Sequence, residues 1–395
     1  MRLKHEIDLA YCTNIHRGET WAETFDGLSR YTDRVRQRVA DGKPYGIGLR
    51  LSAKAAAELS GDVAVLNEFR RWMDERNAYV FTINGFPYGT FHGSRVKEQV
   101  YAPDWTTIER LNYTNQLFDL ACELAPEGRS VSVSTLPGSF KEFVKPETAE
   151  AQWAAICANV RACSEHIESL RQKTGRDIHL GMEPEPLGLF ETSAETVGFF
   201  DRLVQEQSDE TQAQLLRNIG VNYDTCHLAI EFEEAADAIG RLRDSGIRLS
   251  KIHLSSALKL TPGDESVARL NEFQDEVYLH QVVVRSGSEI TRRFRDLPDA
   301  VAWYRESNGV AGDEWRVHFH VPLHAQPEAL FEDTRDHISG VMTLLADDPS
   351  LCTHFEMETY TWEVMPEAMR SGDVVDQLVA EYDWCLGKFR EAGLA

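Results

Sequence analysis

The 395-residue sequence predicts an α/β fold, a (β/α)8 TIM barrel. Short runs of β-branched residues recur along the chain, and amphipathic stretches of helical length separate them. Strands that alternate with helices form a parallel sheet through right-handed crossovers. Eight such runs favour a closed barrel over the alternative, a doubly wound sheet, because no GxGxxG motif follows a strand. The predicted strands are 9–14, 46–52, 79–85, 130–137, 178–186, 219–227, 249–256 and 351–360.

The helices are predicted from apolar residues that recur every three or four positions, which places them on one helix face. Thr192 and Glu195 fit a capping box, which predicts that a helix begins ahead of Val197. The clearest apolar faces are Trp21, Phe25, Leu28, Val35 and Val39, and then Trp153, Ile156, Val160, Cys163, Ile167 and Leu170.

The spare length of the chain is predicted to form one insertion, about 258–326, between the seventh and eighth strands. This segment contains two further strand-like runs, 277–285 and 315–323. The first is interpreted as half of a hairpin that turns at Ser286-Gly287-Ser288. No low-complexity linker and no repeat interrupts the chain, so residues 1–395 are predicted to form one barrel domain with an elaborated rim.

The charge and composition of the chain limit the classes of partner that it is expected to bind. The chain has 41 Lys and Arg against 64 Asp and Glu, a net charge of −23. Such a field repels phosphate backbones, so nucleic acid is not expected as a partner. No segment reaches the ~20 apolar residues of a membrane span. The seven cysteines contain no CxxC pair and are interpreted as buried thiols of a cytoplasmic protein. We therefore expect a small-molecule partner, and oligomerisation stays open.

The predicted strand ends are rich in metal-ligating residues. Near its end the fifth strand contains Glu183, the sixth contains Asp224 and the seventh contains His253. In a barrel, the carboxyl ends of all strands open on one face. Carboxylates that crowd there repel one another, and a divalent cation removes that cost. The mixed oxygen and imidazole set suits Mn²⁺, Co²⁺, Zn²⁺ or Mg²⁺.

The last ligand is ambiguous, because Glu356 and Glu358 lie on the same face of the eighth strand. Met182-Glu183 and Met357-Glu358 look analogous, which favours Glu358 as the ligand. Glu356 lies about 6.6 Å deeper, at ~3.3 Å per residue, and is expected to support the ligands from below.

The pattern on strands five to eight, which reads Glu, DxxH, His and Glu, resembles that of the xylose-isomerase-like barrels. That superfamily includes sugar isomerases and epimerases and the nucleases of the endonuclease IV type. More closely, the sequence over roughly 1–390 resembles the EboE family, the metabolite traffic proteins of the bacterial Ebo gene cluster. The motifs that carry this second resemblance are YCTNIHRGETW at 11–21, GLRLS at 48–52, TINGFPYG at 82–89, STLP at 134–137 and ETYTW at 358–362.

The resemblance implies a role for each matching position. Glu183, Asp224, His253 and Glu358 correspond to metal ligands, with Glu356 as the alternate. His227, three residues after Asp224, corresponds to a histidine that contacts substrate or a second metal. In the sugar epimerases, two glutamates exchange a carbon-bound proton through an enediolate, and Glu183 and Glu358 correspond to them.

Further residues are expected near the site. His318 and His320 are two positions apart, so they lie on the same face of a strand. With His227 they are candidates for a second metal site; the alternative is that this strand is a solvated edge strand. Residues at or beyond strand ends are candidates for substrate contact, and Arg50 fits a structural ion pair equally well. These candidates are Arg50, Asn84, His92 and Glu185.

Three functions remain open. The first is a metal-dependent isomerase or epimerase that acts on a small carbonyl- or polyol-type metabolite in a secondary-metabolite traffic pathway. The second is a metabolite carrier that uses the same metal pocket without catalysis. The third is a phosphoester hydrolase like endonuclease IV, which the net charge of −23 and the lack of a basic groove disfavour.

Overall fold

The computed structural model describes residues 1–89, 97–274, 277–307, 311–325, 329–363 and 372–395. Eight parallel strands form a nearly closed barrel, in the order β1-β13-β7-β6-β5-β4-β3-β2. A parallel bridge between Cys12 and Gly48 joins the two ends of this order. The predicted TIM barrel is therefore confirmed. The barrel strands are β1 Asp8–Tyr11, β2 Tyr45–Arg50, β3 Ala78–Asn84, β4 Val131–Thr135, β5 Ile178–Met182, β6 Ile219–Asp224, β7 Leu249–Leu254 and β13 His354–Met357.

The helices pack outside the barrel, and single 3-10 turns occur in several loops. A π-helical turn, Leu28–Thr32, joins the first two helices, so the predicted apolar face over 21–39 is continuous. The α-helices are α1 Trp21–Gly27, α2 Asp33–Val39, α3 Ala53–Gly61, α4 Val63–Asp74, α5 Ile108–Leu124, α6 Ala149–Thr174, α7 Ser193–Val204, α8 Asp209–Asn218, α9 Thr225–Ile230, α10 Ala235–Asp244, α11 Asp264–Leu270, α12 Leu297–Glu306, α13 Arg335–Asp347 and α14 Val374–Glu391.

Most of the observed barrel strands are shorter than the predicted runs. β5 ends at Met182, because Pro184 and Pro186 have no backbone N–H to continue it. The capping box at α7 is only half formed: Thr192 accepts the N–H of Glu195, but the Glu195 carboxylate accepts the N–H of Glu191 instead. All seven cysteines carry free thiols. Within the described parts of the chain, no helix is both long and apolar enough to cross a bilayer.

The chain segment that connects β7 to β13 forms a second sheet. It is five-stranded, in the order β10-β9-β11-β8-β12, and its pairings are antiparallel. The predicted hairpin turns at Gly287, which has a φ of +58°. This sheet extends beyond the predicted limit of 326, because β12 returns to pair with β8. Its strands are β8 Ala257–Leu260, β9 Val282–Ser286, β10 Glu289–Phe294, β11 Glu314–His320 and β12 Glu332–Asp333.

The second sheet has its own apolar cluster and docks on the barrel rim through ion pairs. Trp315, Val317 and Phe319 of β11 belong to that cluster. At the rim, Lys97 Nζ lies 2.6 Å from an Asp296 oxygen, and an Arg295 nitrogen lies 2.7 Å from a Glu98 oxygen. These contacts join the segment after β10 to residues 97 and 98, which follow β3.

Gly48 of β2 has no room for a side chain. A Cβ built there would lie 2.7 Å from the carbonyl oxygen of Tyr11 and would collide with Glu356 Oε1. The absence of a side chain at this position therefore leaves space for the Glu356 carboxylate inside the barrel.

Gly48→Ala is expected to lower the free energy of unfolding by about 1–3 kcal/mol, because the new methyl group overpacks a closed interior. Urea unfolding measures this change. Gly240→Ala in α10 is the control, since a Cβ there meets nothing within 4 Å. It should be neutral or stabilise the helix by about 0.5–1 kcal/mol. Equal effects of the two substitutions would contradict the packing argument.

Candidate metal centre

Four buried side chains converge at the carboxyl ends of the barrel strands. Glu183 follows β5, Asp224 ends β6, His253 lies in β7 and Glu358 follows β13. One ligand atom from each residue lies within 4.8 Å of the ligand atoms of the other three. The structure thus brings together the four residues that the sequence analysis selected as metal ligands.

The imidazole of His253 faces the cluster through Nδ1. This atom lies 3.1 Å from Glu183 Oε1, 3.1 Å from Glu358 Oε2 and 3.6 Å from Asp224 Oδ2. On the other side of the ring, Nε2 lies 3.1 Å from Glu356 Oε2 and donates to it. Burial alone would lower the pKa of His253, but the carboxylates of Glu358 and Glu183 raise it well above its ordinary value.

Buried amides hold the glutamates in single orientations. Asn14 Nδ2 donates to Glu358 Oε1 at 2.7 Å, and Asn84 Nδ2 donates to the same oxygen at 3.3 Å. Asn222 Nδ2 donates to Glu183 Oε2 at 2.8 Å. One oxygen of each glutamate is therefore bound by an amide, and the other oxygen faces the cluster.

Asp224 supplies the test of whether this set fits a metal. Its Oδ1 accepts the hydroxyl of Ser255 at 2.6 Å and the N–H of Cys226 at 2.7 Å. Its Oδ2 is buried and has no hydrogen-bond partner among the described residues. A buried carboxylate oxygen without a partner is costly, and a metal ion removes that cost. Three carboxylates and one imidazole fit a divalent cation.

Glu356 lies beneath the cluster, paired with a buried lysine. Lys251 Nζ donates to Glu356 Oε2 and, at 2.8 Å, to Ser134 Oγ. Burial would raise the pKa of Glu356, but Lys251 and His253 lower it to about 2. Glu356 therefore stays ionised and orients His253. This position below the ligands is where the sequence analysis expected it, and Glu358 occupies the place in the cluster.

A second cluster contains three histidines, His227 after β6 and His318 and His320 of β11. Nε2 of His318 lies 3.1 Å from Nε2 of His227 and 3.3 Å from Nε2 of His320. Each Nδ1 faces a carbonyl oxygen instead. His227 Nδ1 lies 3.0 Å from Pro184 O, His318 Nδ1 lies 2.6 Å from Gln281 Oε1, and His320 Nδ1 lies 2.8 Å from Glu358 O. Each of these carbonyl oxygens can only accept a hydrogen bond, so each Nδ1 carries the ring proton.

The Nε2 atom of His318 consequently presents its lone pair to the lone pairs of His227 Nε2 and His320 Nε2. Burial lowers the pKa of His318 and of His320, which keeps these two rings neutral. Converging lone pairs repel unless a cation lies between them. Metal-bound histidines typically donate their second N–H to a carbonyl or carboxylate, and these three rings have that arrangement. Asp224 and Cys226 also lie within ligand distance of parts of this cluster.

A cavity opens above both clusters. The space between protein atoms there is about 620 Å³, part of which is open to solvent. Glu183, Glu358, His227 and His318 lie at its base. Of the four residues expected to contact substrate, Glu185 lines this cavity, and Asn84 lies beneath it against Glu358. His92 lies outside the described residues.

Arg50 is not part of the cavity wall. Its guanidinium donates to the carbonyl oxygens of Gly18 at 2.7 Å, Gly89 at 2.6 Å and Pro87 at 3.3 Å, and it lies 3.5 Å from Glu19. This is the structural alternative that the sequence left open for Arg50. The side chain ties the loop after β3 to the loop after β1.

Several supporting residues were missed by the sequence analysis. Asn222 and Lys251 precede Asp224 and His253 by two positions, so the same strand periodicity that selected the ligands would have placed both in the barrel interior. Asn14 ends the first predicted strand, another position where functional groups collect. No local pattern marks Gln281, because its contact with His318 arises only when two strands of the second sheet pair.

Two solved structures share this fold. One is a xylose isomerase-like TIM barrel protein from Mycobacterium smegmatis in complex with magnesium, with 12% identity, 99% coverage of both chains and a TM-score of 0.54. The other is a D-tagatose 3-epimerase-like protein, with 10% identity, 98% coverage of both chains and a TM-score of 0.51. The chain therefore has the fold of the xylose-isomerase-like TIM barrels. No protein-family model and no curated protein sequence matches the chain.

Lys251→Met is expected to lower the free energy of unfolding by about 3–5 kcal/mol, because the Glu356 carboxylate would remain buried without its cation. Denaturant unfolding measures the loss. Lys259→Met is the matched control: Lys259 pairs with the exposed Glu332 at 3.1 Å. Its loss should stay below about 1 kcal/mol. A loss for Lys251→Met no larger than that of the control would show that Lys251 does not balance the Glu356 charge.

Proposed function

We propose that the protein is a divalent-metal-dependent enzyme of the isomerase or epimerase class, which acts on a small carbonyl- or polyol-type metabolite. One observation carries the proposal: Glu183 and Glu358 line the same cavity and converge with Asp224 and His253. The two structural neighbours, one described with magnesium and one as epimerase-like, support it. The sequence resemblance to the EboE family supports a role in secondary-metabolite traffic in the cytoplasm.

The proposed chemistry is the exchange of a proton bound to carbon. A bound divalent ion would polarise a substrate carbonyl and make the neighbouring C–H more acidic. Glu183 and Glu358 would take and return the proton, because both carboxylates reach the cavity from different strands. The amides of Asn14 and Asn222 hold one oxygen of each glutamate, so the orientation of both bases is fixed before substrate binds.

We further propose that His227, His318 and His320 bind a second divalent ion through their Nε2 atoms. The support is the geometry of the three rings, whose protons all lie on the far side from one another. His227 lies between the two clusters, since its Nδ1 is also 3.7 Å from Glu183 Oε1. It would hold the second ion beside the substrate.

Metal analysis of purified protein should give two divalent ions for each chain. His253→Ala is expected to remove one of them and His318→Ala the other, because each substitution deletes a ligand from a different cluster. Metal at about 100 times its dissociation constant should raise the free energy of unfolding by ~2.7 kcal/mol. Elemental analysis and thermal melting in metal or chelator measure both effects.

His324→Ala is the matched control for the metal experiment. His324 follows β11 but belongs to neither cluster, so its loss should leave the metal content unchanged. Wild-type protein that binds no divalent ion would refute the metal centre. Retention of both ions by His318→Ala would refute only the second site.

The proposed activity is tested by incorporation of deuterium from D2O into D-fructose, D-tagatose and dihydroxyacetone, measured by mass spectrometry. Glu183→Gln and Glu358→Gln should each slow exchange by about 10²–10⁴-fold, the usual contribution of a general acid or base. Glu356→Gln should retain exchange but bind metal more weakly, because a neutral amide oxygen is a weaker acceptor for His253 Nε2–H than the carboxylate.

Glu150→Gln is the control for exchange, since Glu150 is exposed and pairs only with Arg202 among the described residues. Metal-loaded wild-type protein that binds a carbonyl compound without exchanging its proton would favour the carrier function instead. Equal exchange in wild type and Glu183→Gln would remove Glu183 from the proposed chemistry.

A further inference from the structure

The walls of the cavity differ from its base. Its base is polar and carries the ligand clusters, whereas much of the wall above is apolar. Phe86 and Tyr101 contact each other with ring centroids 5.7 Å apart, and Tyr278 and Tyr360 contact each other at 5.4 Å. Val100 and Leu279 add aliphatic side chains to this wall. Phe86, Val100, Leu279 and Tyr360 are only partly buried.

We propose that the substrate carries an uncharged, apolar body of about the size of a ring beside its metal-binding oxygens. This inference rests on the proposed metal-dependent function and narrows its substrate class. A bare polyol would leave the four rings in contact with hydroxyl groups. An apolar body would cover them and remove apolar surface from water on both partners.

Charge on the described wall also disfavours an anionic body. Lys97 is the only lysine or arginine among the described lining residues. Its ammonium group lies 2.6 Å from an Asp296 oxygen and donates to the carbonyl oxygen of Tyr278 at 2.8 Å. Glu183, Glu185 and Glu358 add carboxylates to the same cavity. A negatively charged group on the part of the substrate that contacts this wall would therefore find no unpaired cation among the described lining residues.

Asn14 indicates where a hydroxyl group of the substrate binds. This side chain lines the cavity next to Glu358, to which its Nδ2 donates. Its Oδ1 is buried and has no hydrogen-bond partner among the described residues. The amide oxygen is thus left to accept a hydrogen bond from a bound molecule. The inferred substrate has a hydroxyl and a carbonyl at the base of the cavity and its apolar body against the rings.

A matched pair of α-hydroxyketones tests the inference. Hydroxyacetone and 2-hydroxyacetophenone share the same chelating oxygens, but the first carries a methyl group where the second carries a phenyl ring. Titration calorimetry with magnesium-loaded wild-type protein should give at least tenfold tighter binding of 2-hydroxyacetophenone. Equal affinity, tighter binding of hydroxyacetone, or binding of neither compound would overturn the proposal.

Two wall variants connect the preference to this cavity. Leu279→Asn makes the wall polar, and Val100→Thr replaces a methyl group with a hydroxyl group at almost constant volume. Each of these two substitutions should reduce the preference for the phenyl compound by at least threefold. Leu279→Met, which stays apolar, should keep it. Thermal melting verifies that each variant is folded, and an unchanged preference in folded Leu279→Asn and Val100→Thr would overturn the proposal.

The same titrations in chelator separate this inference from the proposed function. If the phenyl compound keeps its advantage without metal, the apolar wall stands and the metal role in binding fails. If both compounds need metal and bind equally, the metal role stands and the apolar body is wrong.

Discussion

The burial of four carboxylates in one small volume is the constraint on which this structure depends. Like charges at such distances repel strongly when water is excluded, so each carboxylate needs a cation or hydrogen-bond donors. Lys251 neutralises Glu356, His253 contacts the others, and buried asparagines bind the remaining oxygens. Two carboxylate oxygens, Asp224 Oδ2 and Glu356 Oε1, are left without a hydrogen-bond partner among the described residues. The carboxylates concerned are Glu183, Asp224, Glu356 and Glu358.

Strand register determines how these charges alternate. Asp224 and Glu356 are both paired with His253, on the two neighbouring strands, so a histidine separates two carboxylates around the barrel. One step deeper on the same face, Asn222 is paired with Lys251, which places an amide and an ammonium group beneath that level. Gly48 of β2, two strands away from β13, then leaves the space that the Glu356 carboxylate occupies. The arrangement is a consequence of the barrel, since neighbouring strands point paired residues to the same face.

These local regularities explain how much the sequence could predict. Their positions at strand ends were enough to select Glu183, Asp224 and His253. The two-residue period left Glu356 and Glu358 equivalent, and only the analogy between Met182-Glu183 and Met357-Glu358 favoured Glu358. The second-sheet contacts could not be found in this way, because Gln281 meets His318 only through strand pairing across 37 positions. Arg50 shows a different limit of prediction from sequence. Its position at a strand end suits a substrate contact, but its N–H groups donate to carbonyl oxygens of two loops.

The identity of the residues in the second cluster follows from the same charge constraint. A divalent ion among Glu183, Asp224 and Glu358 would still leave a net negative charge, because three carboxylates exceed its charge. A further carboxylate at position 318 or 320 would add to this excess within a few ångströms. Neutral imidazoles bind a cation without that penalty, and their Nδ1–H groups are already satisfied by carbonyl oxygens. A proposed second ion there would keep its full charge for substrate oxygens, while the apolar wall above would exclude the water that competes for them.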